Sequence, residues 1–111
     1  MGDGQHVWAA AEWVLMIRNC FVREENGRLI LCSGIPRIWL KTKQTIAFGP
    51  APTRFGSIQI SVKPQEENVL VEWQGTWFTK EPPIDIQLPG FANVRIKPAT
   101  NSLELGYGVD K

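Results

Sequence analysis

Between Val7 and Ile17 the chain is apolar at every position except Glu12, and these eleven residues constrain the fold more than any other stretch. Alanine, leucine and methionine favour helix, and no Gly or Pro interrupts the run. The pattern predicts a helix that starts near His6 or Val7, after the polar loop Gly2-Asp3-Gly4-Gln5, and ends around Arg23 or Glu24. A helix on the surface of a small domain shows one apolar stripe, whereas this one would be apolar around its whole circumference. It therefore needs neighbours on every side. The β-structure expected after about residue 28 can cover one face of it but hardly all, so the chain reads as the tail of a larger body.

The 12 Lys and Arg nearly balance 11 Asp and Glu, for a formal charge of +1. No net field draws this chain to nucleic acid or to an anionic membrane, and neither is expected as a partner. The apolar run is too short for the ~20 residues that span a bilayer, and the start lacks the basic segment of a signal peptide. Cys20 and Cys32 have neither CxxC spacing nor a His cluster beside them. They read as buried free thiols, with a disulfide as the alternative, and no metal site or cofactor is expected.

The turn Glu24-Glu25-Asn26-Gly27-Arg28 changes the character of the chain. Leu29 to Cys32 reads as a short strand, and Gly34 and Pro36 then break regularity before Trp39, which can plug an end of the core. Thr45 to Phe48 is a further strand, and Gly49 to Thr53 a loop that proline keeps out of central-strand geometry. Apolar residues alternate with polar ones at Ile58, Ile60 and Val62, and again at Val69, Val71 and Trp73. The same period of two returns at Ile84, Ile86 and Leu88, at Val94 and Ile96, and at Leu103 and Leu105. The expected fold is mainly β: an N-terminal α-helix followed by an antiparallel β-sandwich of about six to eight short strands. Residues 1–28 are assigned to the loop and helix, and 29–111 to the sandwich.

Gly2-Asp3-Gly4-Gln5-His6-Val7-Trp8-Ala9-Ala10-Ala11-Glu12-Trp13 resembles the loop and last helix of six-hairpin, (α/α)6-barrel glycosidases. Further on, Gly34-Ile35-Pro36 with Trp39-Leu40, then Ala51-Pro52-Thr53-Arg54-Phe55-Gly56, resembles the small C-terminal β-domain of one bacterial branch of that group. The likeness covers roughly residues 2 to 62 and fades beyond. It implies that an upstream barrel of the same parent chain is the partner of the helix, and that Asp3, Gln5, His6 and Trp8 lie near the rim of the parent's substrate cavity. It also implies inverting chemistry by two carboxyl groups, contributed upstream of residue 1, so that this chain is inert alone.

The candidate residues each have a plainer reading. His6, the only histidine, makes neither a metal site nor a triad by itself, and a structural hydrogen bond competes with a sugar contact. Trp8 could stack on a sugar or pack among helices. Glu12 is expected to be satisfied by an ion pair or hydrogen bond. Glu24-Glu25 and Glu66-Glu67 are read as solvated turn residues, and Glu81 and Asp85 receive no more weight. Trp73 and Trp77 share strand parity with Val69 and Val71 and are expected in the core, unless a bulge at Gly75 turns Trp77 outward. The leading expectation is a non-catalytic sandwich that supports a glycosidase barrel. Its rivals are a carbohydrate-binding module using exposed Trp39, Trp73 or Trp77, and an interaction domain that self-associates through the apolar helix.

Overall fold

The computed structural model describes residues 17–107. Within them the chain is mainly β, two four-stranded sheets packed on a common core. Residues 17–21 are helical, and without an intervening linker the chain enters β1 (Val22–Glu25), which pairs antiparallel with β2 (Arg28–Leu31). The two-residue turn between them has φ +52° at Asn26 and +78° at Gly27. Both central residues are left-handed, the arrangement that matches the twist of a tight hairpin and that Asn-Gly adopts readily. The helix expected to reach Arg23 or Glu24 therefore stops at Phe21. The hairpin ladder from Val22↔Leu31 to Glu25↔Arg28 satisfies the backbone of residues 22–25 instead.

After a short helix, α1 (Arg37–Lys41), the second sheet is built from β3 (Ile46–Thr53), β4 (Gly56–Pro64) and β5 (Asn68–Trp77). The chain then returns to the first sheet for β6 (Ile84–Ile86) and β7 (Val94–Arg95), and ends in the second as β8 (Ser102–Gly106). The sheet orders are β1-β2-β6-β7 and β3-β4-β5-β8. All pairings are antiparallel except β2 with β6, which are joined through the whole of β3 to β5 and so meet in parallel. Gly49 to Thr53 is not a loop: it forms the second half of β3, beyond an irregularity between Phe48 and Ala51. Pro50 and Pro52 are tolerated there because β3 is an edge strand and its missing N–H groups interrupt no second ladder.

The alternating residues do what their period requires. Ile58, Ile60 and Val62 stand opposite Gly75, Trp73 and Val71, and with Val69 and Leu105 they form the inner layer of the second sheet. Leu29, Leu31, Ile84 and Ile86 form the facing layer. The register between β4 and β5 is unbroken from Gly56↔Trp77 to Pro64↔Val69, so Gly75 makes no bulge. Trp77 keeps inward parity and lays its ring over Gly75, where a Cβ would collide with it. At the hairpin joining β3 to β4, Gly56 has φ +139°, and a Cβ there would run into the carbonyl oxygen of Thr76.

The first sheet is buried at the centre of its outer face as well. Arg23, Ile30, Asp85 and Arg95 form one row across its four strands, and Ile30 is fully buried there. Asp85, given no weight in the sequence, is the one buried charged residue among those described. A single guanidinium nitrogen of Arg28 donates to both of its carboxylate oxygens at 2.8 Å, and Arg95 stands 3.6 Å from one of them. Burying a charge costs several kcal/mol unless it is paired, and this geometry supplies the pair.

Gly56→Ala should cost at least about 2 kcal/mol in urea unfolding, because strain at a positive φ adds to the backbone collision. Arg28→Met should cost about 2–4 kcal/mol by stranding Asp85, and adding Asp85→Leu to it should restore most of the loss. A double variant as unstable as the single one would show that the pair contributes net stability beyond mutual compensation.

Candidate functional site

A groove of about 770 Å³ lies at one end of the sandwich, where α1, the β4–β5 turn, the Gly90-Phe91 loop and Tyr107 meet. Each element presents its side chains there for a local reason. Pro36 sets an extended φ of −64° and ψ of 139° immediately before α1, and Thr42 ends the helix by donating its hydroxyl to the Trp39 carbonyl oxygen. Leu40 turns into the core, which leaves Arg37, Ile38 and Lys41 facing outward. The Gly90-Phe91 loop closes through the Phe91 N–H, which donates to Leu88 O at 3.0 Å, and Tyr107 is held by its N–H to Glu67 O at 3.3 Å.

The groove is apolar on one wall and cationic on the rim. Phe91 and Tyr107 meet with ring centroids 5.6 Å apart at 50°. Ile38 is 66% exposed and Tyr107 39%, both high for residues of their type. Arg37, Lys41 and Lys43 line the rim against a single carboxylate, Glu66, which lies 3.8 Å from Lys43. Gly90 has φ +91°, and the Arg37 guanidinium lies over it within 3.0–3.3 Å of the place a Cβ would occupy. A side chain at residue 90 would displace that guanidinium, so the glycine determines where the charge sits.

The residues singled out in the sequence do not converge here. Asp3, Gln5, His6 and Trp8 lie outside the described residues, as do most of the apolar run and Glu12. Trp73 is 4% exposed, a core residue with no face for a sugar, and its Nε1 is buried without a partner. Trp77 is half-buried over Gly75, and Trp39 is half-buried against the core with its ring 6.4 Å from Phe21. The three tryptophans thus form no flat row. The signal that could have found the groove is the pairing of Phe91 and Tyr107 with the basic run around α1, residues far apart in sequence. Glu24 and Glu81 are also more than solvated turn residues, since Glu24 accepts from the Arg54 N–H at 3.3 Å and Glu81 from the Ala99 N–H at 3.2 Å.

Cys20 and Cys32 are free thiols. Burial pushes the Cys32 thiol up to about 12, because its thiolate would have to form in the apolar core. Such a thiol is protonated at neutral pH and is no nucleophile. Among the described residues no three His, Cys, Asp or Glu side chains gather to hold a metal, and no helix is long and apolar enough to cross a membrane. No family model, curated protein or solved structure matches the chain.

The folded chain holds the Cys32 proton more tightly than the unfolded one. Stability should therefore fall as pH rises from the ordinary thiol value near 9 toward 12, by at most about 1.4 kcal/mol per pH unit. Urea midpoints at about pH 8 and about pH 11 should diverge more for the wild type than for Cys32→Ala. An equal divergence would place the alkaline loss on other groups.

Proposed function

We propose that this chain is a non-catalytic accessory piece of a glycoside hydrolase-like protein, in which the β-sandwich anchors a helix belonging to a larger helical barrel. The reading is supported above all by the way the helix meets the sheet. Phe21 ends the helical residues, Val22 is already in β1, and both side chains are buried. The Cys32 N–H donates to Phe21 O at 2.8 Å and the Gly34 N–H to Cys20 O at 3.1 Å. Arg18 adds a hydrogen bond to Pro52 O at 3.0 Å and an ion pair with Glu24 at 3.4 Å. A tether would leave the helix free to reorient, whereas these bonds hold its last turn in one direction relative to both sheets. That rigidity suits a support and serves no purpose in a freely linked module. The apolar sequence from Val7 to Ile17, read as helix, calls for the same partner.

A carbohydrate-binding module is the second reading, favoured by the partly exposed side chains of Trp39 and Trp77. It would bind neutral glycans through those rings and quench their fluorescence.

The full chain, separated from its barrel, should self-associate without a fixed stoichiometry in sedimentation velocity, since its apolar run has lost its cover. A monomer at every concentration, or one discrete dimer, would overturn the supporting role, and the dimer would favour an interaction domain. Titration with soluble neutral glycans should leave tryptophan fluorescence flat, whereas saturable quenching would promote the binding module. Phe21→Ala should cost about 3–5 kcal/mol of stability, because the ring fills the junction of helix and sheets.

A further inference from the structure

We propose that the groove between α1 and Tyr107 binds a short saccharide bearing carboxylate groups, a uronate oligosaccharide, with Arg37 receiving the carboxylate and Tyr107 and Phe91 receiving the sugar ring. This site is independent of the helix-supporting role and uses none of the tryptophans.

Three features of the groove select that chemistry. The first is charge: three cations face one carboxylate, which already lies within 3.8 Å of Lys43. Arg37 and Lys41 enter no ion pair among the described residues. The rim is therefore cationic on a chain whose formal charge is only +1, and a guanidinium fork matches a carboxylate in two parallel hydrogen bonds. The second is placement. Gly90 leaves the space in which the Arg37 guanidinium rests, immediately beside Phe91, so the charge is presented next to the apolar wall. The third is shape: two rings at 50° make a wedge whose faces suit the C–H side of a pyranose.

The volume of about 770 Å³ falls within the roughly 300–1,000 Å³ of small-molecule sites and admits a short oligosaccharide. An acidic peptide would match the charge, but the groove is walled by a helix and turns. It presents no strand edge on which an extended peptide could form a ladder.

The test is calorimetric titration of the full chain with a galacturonate trimer, a neutral glucose trimer of equal length, and an aspartate-rich peptide. The galacturonate trimer should bind saturably and weaken with added salt, and the neutral trimer should bind at least about tenfold more weakly. Arg37→Gln and Tyr107→Ala, both at exposed side chains, should each weaken the galacturonate trimer by about tenfold while leaving the thermal midpoint unchanged. Lys41→Gln supplies a further variant if either one shifts that midpoint. No saturable binding of the galacturonate trimer, equal binding by Arg37→Gln, or tighter binding of the peptide would overturn the proposal.

Discussion

The structure depends on the burial of Phe21, the residue at which helix becomes sheet. Its ring stacks on Phe48 of the opposite sheet at 5.4 Å and 11°, and its carbonyl accepts the Cys32 N–H at the end of β2. One residue thus ties the helix to both layers of the sandwich. Its side chain fills the space between sheets that share no backbone ladder. Remove that filling and the helix direction, the β1–β2 hairpin and the packing of β3 would all lose a common point of reference.

Around that point the two sheets solve burial differently. The second sheet follows the simple rule of one dry and one wet face, so its inward residues are apolar and its outward ones, such as Lys63 and Glu72, pair at the surface. The first sheet is dry on both faces at its centre. There Ile30 and Asp85 stand opposite each other across the parallel pair, and the carboxylate is tolerated because Arg28 supplies charge and hydrogen bonds together. A buried ion pair adds little net stability, yet leaving either member alone is costly, so the pair penalises any register that separates β2 from β6. The groove at the end of the sandwich follows from the same architecture, because α1 on the way from the first sheet to the second, the Gly90-Phe91 loop between β6 and β7, and the residue after β8 all reach that end.

Much of the sandwich was legible in the residues. Alternation at Ile58 to Val62, Val69 to Trp73 and Ile84 to Leu88 located the inner faces, since a period of two leaves few other ways to bury those side chains. The end of the helix was misplaced because Val22 to Glu25 has no alternation of its own, one apolar residue and three charged, and becomes a strand only through its partner Arg28–Leu31. Asn26-Gly27 carried the hairpin signal in plain view. The proline-containing half of β3 was read as a loop because local rules exclude proline from central strands, and nothing local shows that this strand lies at an edge. The groove was not read from the sequence, since its basic run and its two aromatic residues are far apart in the chain and meet only when α1, the Gly90-Phe91 loop and Tyr107 converge.

By itself the sequence determined the fold class and the inward-facing residues of the long strands, because both follow from local period and the cost of wetting apolar surface. Only the tertiary structure decided where the helix stops, that β2 and β6 run in parallel, that Asp85 is buried and that a cationic, aromatic groove exists. Those properties belong to pairs of residues distant in sequence, and their energies arise only when the chain brings them into contact.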